Sequence, residues 1–172
     1  WSFLPALVEA AKTESISVAH DPIPMHEEFV PTASLNSVER TVAALESHLD
    51  ERHSLLLDPG EALFSAVDMR VPTYAHASAY YATMGYAVPA ALGVGIADSD
   101  HRPVVVVGDG AFSMTGLEVA ACAFHEVNAI FVVLDNGGFG TQRPILDGPF
   151  NDIPSLAVEN LPSVMGTGLG WK

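Results

Sequence analysis

Two apolar runs, 103-PVVVV-107 and 129-AIFVVL-134, interrupt the mixed pattern of hydrophobic and polar positions along the chain. Continuous β-branched and aliphatic runs leave no side for water, which predicts strands buried on both faces of a parallel sheet. Between them, 114-MTGLEVAACAFHEV-127 carries apolar residues at helical spacing. Strand, glycine turn, helix and strand together make a βαβ unit. Upstream, 53-HSLLLDPG-60 reads as a short buried strand entering a turn, 61–69 as a helix, and 71-VPTYAHAS-78 as a strand and loop. The small-residue segment 83-TMGYAVPAALGVGIA-97 predicts a closely packed helix beginning near Gly85, with Pro89 inside it.

A further helix is expected to reach about His48, with Val38, Val42, Leu45 and Leu49 on one face. Asn36 with Glu39 three residues on forms a near capping box at its start, Asn standing for the usual Ser or Thr. Residues 3–12 suit a short amphipathic helix, and 13–35, with Pro22, Pro24 and Pro31, reads as a linker. The organisation is therefore a tail of a preceding domain plus linker over 1–35, then one domain over 36–172. That domain reads as a doubly wound, three-layer α/β fold with a mostly parallel sheet, whose ligand sites belong at the carboxyl ends of the strands.

Composition narrows the partners. With 21 acids against 7 bases and a formal charge of −14 over 172 residues, the surface disfavours nucleic acid and anionic membrane. No apolar run approaches the roughly 18 residues of a membrane span. The opening WSFLPALVEAAK has neither the basic lead nor the cleavage site of a signal peptide, and the absence of an initiator Met suggests a piece of a longer chain. A lone Cys122 fits a reducing, cytoplasmic setting and reads as an inert packing residue. The seven histidines show no metal-ligand spacing, and His125 is expected near a helix end.

The candidate chemistry sits at the ends of the two predicted central strands. Gly108-Asp109-Gly110 runs straight into a helical pattern, but a dinucleotide fingerprint would need glycine where Ser113 stands. A carboxylate in that turn opposes a bare diphosphate unless it holds a divalent cation. Asn136, at the end of the next strand, offers a second oxygen, and Gly137 and Gly138 free backbone carbonyls beside it. The plainer alternatives are a helix-capping turn aspartate for Asp109 and core filler for Met84.

Taken in order, GDG, then Asn with a glycine-rich turn, resembles the diphosphate-binding motif of thiamine diphosphate-dependent enzymes. The segment 82-ATMGYAVPAALG-93 is similar to their cofactor wedge, 58-DPGEALF-64 to their second diphosphate loop, and 146-LDGPFNDIP-154 to the segment after the cofactor site in pyruvate- and indolepyruvate-type 2-oxo acid decarboxylases. Glu118 stands where these enzymes carry a helix glutamate. The likeness covers roughly 36–172.

That resemblance implies Mg²⁺ bound by Asp109, Asn136 and the Gly138 carbonyl. It implies cofactor contacts from Gly60, Glu61, Gly108, Gly110, Ala111 and Gly140, a wedge at Met84, and an aminopyrimidine hydrogen bond to the Ala82 carbonyl. Non-oxidative decarboxylation of a 2-oxo acid through a cofactor ylid would follow. Three positions depart from the decarboxylases: Glu61 replaces a usual Thr, Ala111 a Ser, and Gln142 a catalytic glutamate. The same likeness implies a pyrimidine-binding domain from a neighbouring subunit, a homodimer or homotetramer, and no turnover by this piece alone, which ends before an expected last strand and helix. A carboligase of the acetolactate synthase type and a non-catalytic module retaining the fold are the alternatives.

Overall fold

The computed structural model describes residues 37–71, 74–166, 168 and 170, so Asn36 and the readings for 3–12 and 13–35 lie outside the described residues. The first helix, α1, spans Val38–His48, and its cap is Ser37, whose hydroxyl accepts the Arg40 N–H at 3.3 Å. The cap is thus one residue later than the Asn36 expected, and it is a simple serine cap, not a box: the Ser37 oxygen reaches the third helical N–H, where Arg40 replaces the Glu or Gln a box requires. Val42 is buried, with Val38, Leu45 and Leu49 packed around it, as the spacing predicts.

Strand β1 (His53–Leu57), helix α2 (Glu61–Ser65) and strand β2 (Tyr74–Ala77) follow. Helix α2 stops short of the expected 61–69 because the chain turns at Ala66, returning Met69 as well as Ala66 to the core. Helix α3 (Ala87–Ala97) starts two residues later than the Gly85 expected, and Pro89 falls in its first turn, where a missing N–H costs nothing. Strand β3 (Arg102–Gly108) leads directly into α4 (Asp109–Thr115), then a 3₁₀ turn (Gly116–Glu118) and α5 (Val119–Phe124). The single helix expected over 114–127 therefore begins at Asp109 and breaks at Gly116, a weak helix former lying against the Phe112 ring. His125 closes α5, and strand β4 (Ile130–Leu134) follows. Three 3₁₀ turns, Gly140–Gln142, Pro149–Asn151 and Val158–Asn160, precede α6 (Leu161–Met165).

The four strands form one parallel sheet in the order β2-β1-β3-β4. Side chains alternate across it. Leu56, Val105 and Val107 pack with Ala87, Val88, Ala91, Phe112 and Cys122 on one face. Leu55, Leu57, Val104 and Val106 pack with Val42, Ala62, Ala66 and Met69 on the other. This two-sided demand is why β3 is a run of valines. Strand β4, at the end of the strand order, is half-buried, yet Phe131 and Val133 pack on one face and Ile130, Val132 and Leu134 on the other, so both its faces meet apolar layers as the run predicts.

Chain order places the site. From β1 the chain goes to β2 on one side, then returns to β3 on the other. The carboxyl ends of β1 and β3 thus flank the point where the winding reverses, where parallel sheets open a crevice.

Candidate functional site

A cleft opens at that point. It is lined by Pro59, Gly60 and Glu61 after β1, by Gly108, Asp109, Gly110 and Ala111 after β3, and by Asn136, Gly138, Phe139, Gly140, Thr141 and Gln142 after β4, with Met84 beside them. Every candidate cofactor residue read from the sequence, Ala82 excepted, borders this one cleft. Ala82 is exposed two positions before Met84 and holds a left-handed backbone (φ 52°), an unfavourable state for a residue with a side chain.

The register Gly108↔Leu134 brings the ends of β3 and β4 side by side. Asp109, mostly buried, uses one carboxylate oxygen to accept its neighbour Gly110 N–H at 2.8 Å and the other to accept Gly137 N–H at 2.8 Å. Burial pushes the Asp109 carboxyl above the ordinary range, and the nearby Asp135 adds to this, while the Gly110, Gly137 and Gly138 N–H groups pull the other way. Each oxygen keeps a second lone pair for another partner.

Asn136 donates from Nδ2 to Glu61 at 2.6 Å and accepts the Gly138 N–H on Oδ1 at 3.3 Å. The Gly138 carbonyl accepts Gly140 N–H at 3.0 Å. Gly138 sits at φ 156°, and a side chain there would collide with the Asn151 carbonyl, so the turn requires glycine.

Residues after this turn fold back over it. Phe139 N–H donates to the Asn151 carbonyl at 2.8 Å, and Ile153 N–H to the Gly137 carbonyl at 3.3 Å. Arg143 clamps the return, binding Asp147 at 3.0 Å and Asp152 at 2.7 Å. The DGPFNDI segment thus braces the Asn136 turn instead of merely following it.

Sequence reasoning missed Asp58. It is fully buried at the end of β1 and accepts Gly85 N–H at 3.0 Å and Ala87 N–H at 2.9 Å. These are unpaired N–H groups at the start of α3, which has no side-chain cap of its own, and their use by Asp58 explains why α3 begins at Ala87. Burial raises the Asp58 carboxyl, opposed by the Ala87, Gly85 and Tyr86 N–H groups. Thr115 adds a hydroxyl donor to the Gly85 carbonyl at 2.9 Å. The loop carrying Met84 is therefore fastened at Gly85 from two sides. The only signal in the sequence was an acid directly after an apolar strand.

Other candidates fall elsewhere. Glu118 is exposed in the 3₁₀ turn, and Cys122 is buried in the α3-side core, its thiol pushed up by burial and by Glu118. Of the scattered histidines, His76 packs against Tyr74 and does not line the cleft. Among the described residues, no three His, Cys, Asp or Glu side chains gather in a metal-binding cluster. A cation in the cleft would have one carboxylate, an amide oxygen and a carbonyl, a sparse set of hard oxygens that suits Mg²⁺ shared with phosphate. Gly110 carries no side chain, and the space a β-carbon would take is filled by the Phe139 ring, with Met84 close by. Those features fit a metal-bridged diphosphate. No helix among the described residues is long and apolar enough to cross a membrane.

Comparison with known proteins points the same way. A family model described as thiamine pyrophosphate enzyme, C-terminal TPP binding domain, matches residues 60–153, from the turn after β1 to the end of the bracing segment. A probable pyruvate decarboxylase of Schizosaccharomyces pombe is 31% identical, over 72% of this chain and 22% of that protein. An alpha-keto-acid decarboxylase of Mycobacterium tuberculosis is 32% identical, over 70% of this chain and 22% of its own length. An indole-3-pyruvate decarboxylase of Azospirillum brasilense is 34% identical, over 63% of this chain and 20% of its own length. The chain spans about a fifth of the length of these relatives.

Proposed function

The chain belongs to the thiamine pyrophosphate enzymes and carries their C-terminal TPP-binding domain, and from that premise we propose that it binds thiamine diphosphate through Mg²⁺ as part of a 2-oxo acid decarboxylase. The observation that carries the proposal is the convergence of Asp109, Asn136 and Gly138 with the Gly60 and Gly110 turns on one cleft at the reversal point of the sheet.

In this reading Asp109, the Asn136 amide oxygen and the Gly138 carbonyl hold the cation. The backbone at Gly108, Gly110 and Ala111 admits the diphosphate, with Gly60 and Glu61 facing it from β1 and Gly140 from β4. Met84, on the loop fastened by Asp58, would support the bound cofactor, and the Ala82 carbonyl would accept a hydrogen bond from it. Bound thiamine diphosphate supplies an electron sink for breaking the bond between the carboxylate and the 2-oxo carbon. Gln142, exposed at the rim, can donate and accept hydrogen bonds but cannot deliver a proton as an acid, so its role is substrate binding.

The domain over 36–172 works with a pyrimidine-binding domain of a neighbouring subunit in a cytoplasmic homodimer or homotetramer. The names of the relatives, all decarboxylases of 2-oxo acids, support this reading over carboligation. The test is product analysis. The full-length protein with Mg²⁺ and thiamine diphosphate is expected to convert pyruvate, phenylpyruvate or indolepyruvate, with one proton, into CO₂ and the shortened aldehyde. Acyloin or acetolactate as the product, or no CO₂ from any of the three, would overturn it.

A further inference from the structure

Glu61 is the anomalous group in the cleft. A second carboxylate beside a diphosphate opposes binding unless it is engaged elsewhere. It is engaged: Asn136 Nδ2 donates to Glu61 Oε2 at 2.6 Å, a contact between residues 75 positions apart in the chain. A carboxylate accepts and never donates when ionised, so this contact determines which end of the Asn136 amide faces it. The NH₂ group is turned to Glu61, and Oδ1 is turned to the 137–138 turn, where it accepts Gly138 N–H. The same turn is held by Asp109 through Gly137 N–H.

Gly140 supplies an independent observation. A β-carbon at this position would lie 2.6 Å from Asn136 Nδ2 and 3.2 Å from Glu61 Oε2. The bare backbone at Gly140 is therefore what gives the Glu61–Asn136 pair its room.

We propose that Glu61 is a positioning residue that locks the Asn136 amide with its oxygen turned to the cation side of the cleft, and that Gly140 is side-chain-free to admit it. The proposal rests on the cofactor reading above. Without the acceptor, the amide can turn over and present NH₂ hydrogens to a cation, which they repel. Glu61 thus strengthens metal binding from outside the coordination sphere, in the manner of groups that orient metal ligands.

Calorimetric titration of Mg²⁺ into the full-length protein with thiamine diphosphate present tests this. Glu61→Gln keeps an acceptor for Nδ2 and is expected to bind within about twofold of the unchanged protein. Glu61→Ala and Gly140→Ala are each expected to weaken Mg²⁺-dependent binding about tenfold. Combining the two should cost no more than one of them, since both break the same contact. Glu61→Ala binding as well as the unchanged protein, or Gln and Ala variants both binding more tightly, would overturn the proposal; the second result would show Glu61 acting as a repelling charge. If Glu61→Ala melts early, the Gln variant decides: binding more than about threefold from the unchanged protein contradicts the proposal. Asp109→Ala runs in parallel, and binding that ignores both Mg²⁺ and Asp109 identifies the cofactor reading itself as the failure.

Discussion

Asp58 and Asp109 occupy equivalent places, each the first residue after a buried parallel strand, yet they do different work. Asp58 is wholly enclosed, and both its oxygens serve N–H groups of the Gly85–Ala87 helix start. Asp109, also buried, borders the cleft, and its N–H partners are Gly110 in the first turn of α4 and Gly137 in the turn after β4. A carboxylate at a strand end is therefore a fastener where the start of another helix encloses it fully, and a ligand candidate where it is buried but borders a cleft. Position in the topology alone does not separate the two; the neighbours do.

The largest effect should come from breaking the fastener. Asp58→Ala strands two buried N–H groups and is expected to cost about 3 kcal/mol locally. Hydrogen exchange of the Gly85 and Ala87 amides should then accelerate by about 100-fold; unchanged exchange would mean that Asp58 is not what holds α3. A smaller effect is expected at the open end. In Gly110→Ala the new β-carbon would lie 2.7 Å and 2.9 Å from two carbons of the Phe139 ring, so the ring must move. Overpacking of about 1–3 kcal/mol should weaken thiamine diphosphate binding about tenfold, and Phe139→Ala should restore part of it. Failure of that rescue would show that the ring is not the obstacle. The smallest effect belongs to Met84→Ala, since Met84 is already 36% exposed. Thermal stability should hold, while cofactor affinity drops about fourfold, the worth of roughly one buried methylene. A loss of stability instead would place Met84 with the Asp58 region, as packing.

Much of this contrast could be read from sequence on one side only. The valine run foretold a two-sided strand because each face of β3 meets its own apolar layer. GDG and the Asn136 turn were legible because glycine, carboxylate and amide types at strand ends carry chemistry in themselves. The role of Asp58 was not, because it depends on β1 ending against a helix start 27 and 29 residues later. The half-exposed β4 was hidden because it is set by the strand's place in the sheet, not by its own residues, whereas the break at Gly116 had a local signal, a glycine inside the helical pattern. The pairing of Glu61 with Asn136 spans 75 positions and leaves no local trace.

The most direct test sets the two aspartates against each other. Asp109→Asn and Asp58→Asn each remove one negative charge, and both are compared with the unchanged full-length protein for Mg²⁺-dependent thiamine diphosphate binding and for thermal stability. Asp109→Asn is expected to lower binding by about 100-fold, the upper range for disturbing a metal site, with melting shifted little. Asp58→Asn is expected to melt earlier yet, below its transition, to keep Mg²⁺-dependent cofactor binding within about fourfold, the most that loosening the Met84 loop should cost. If Asp109→Asn keeps full Mg²⁺-dependent binding while Asp58→Asn loses it, the assignment of fastener and ligand is contradicted.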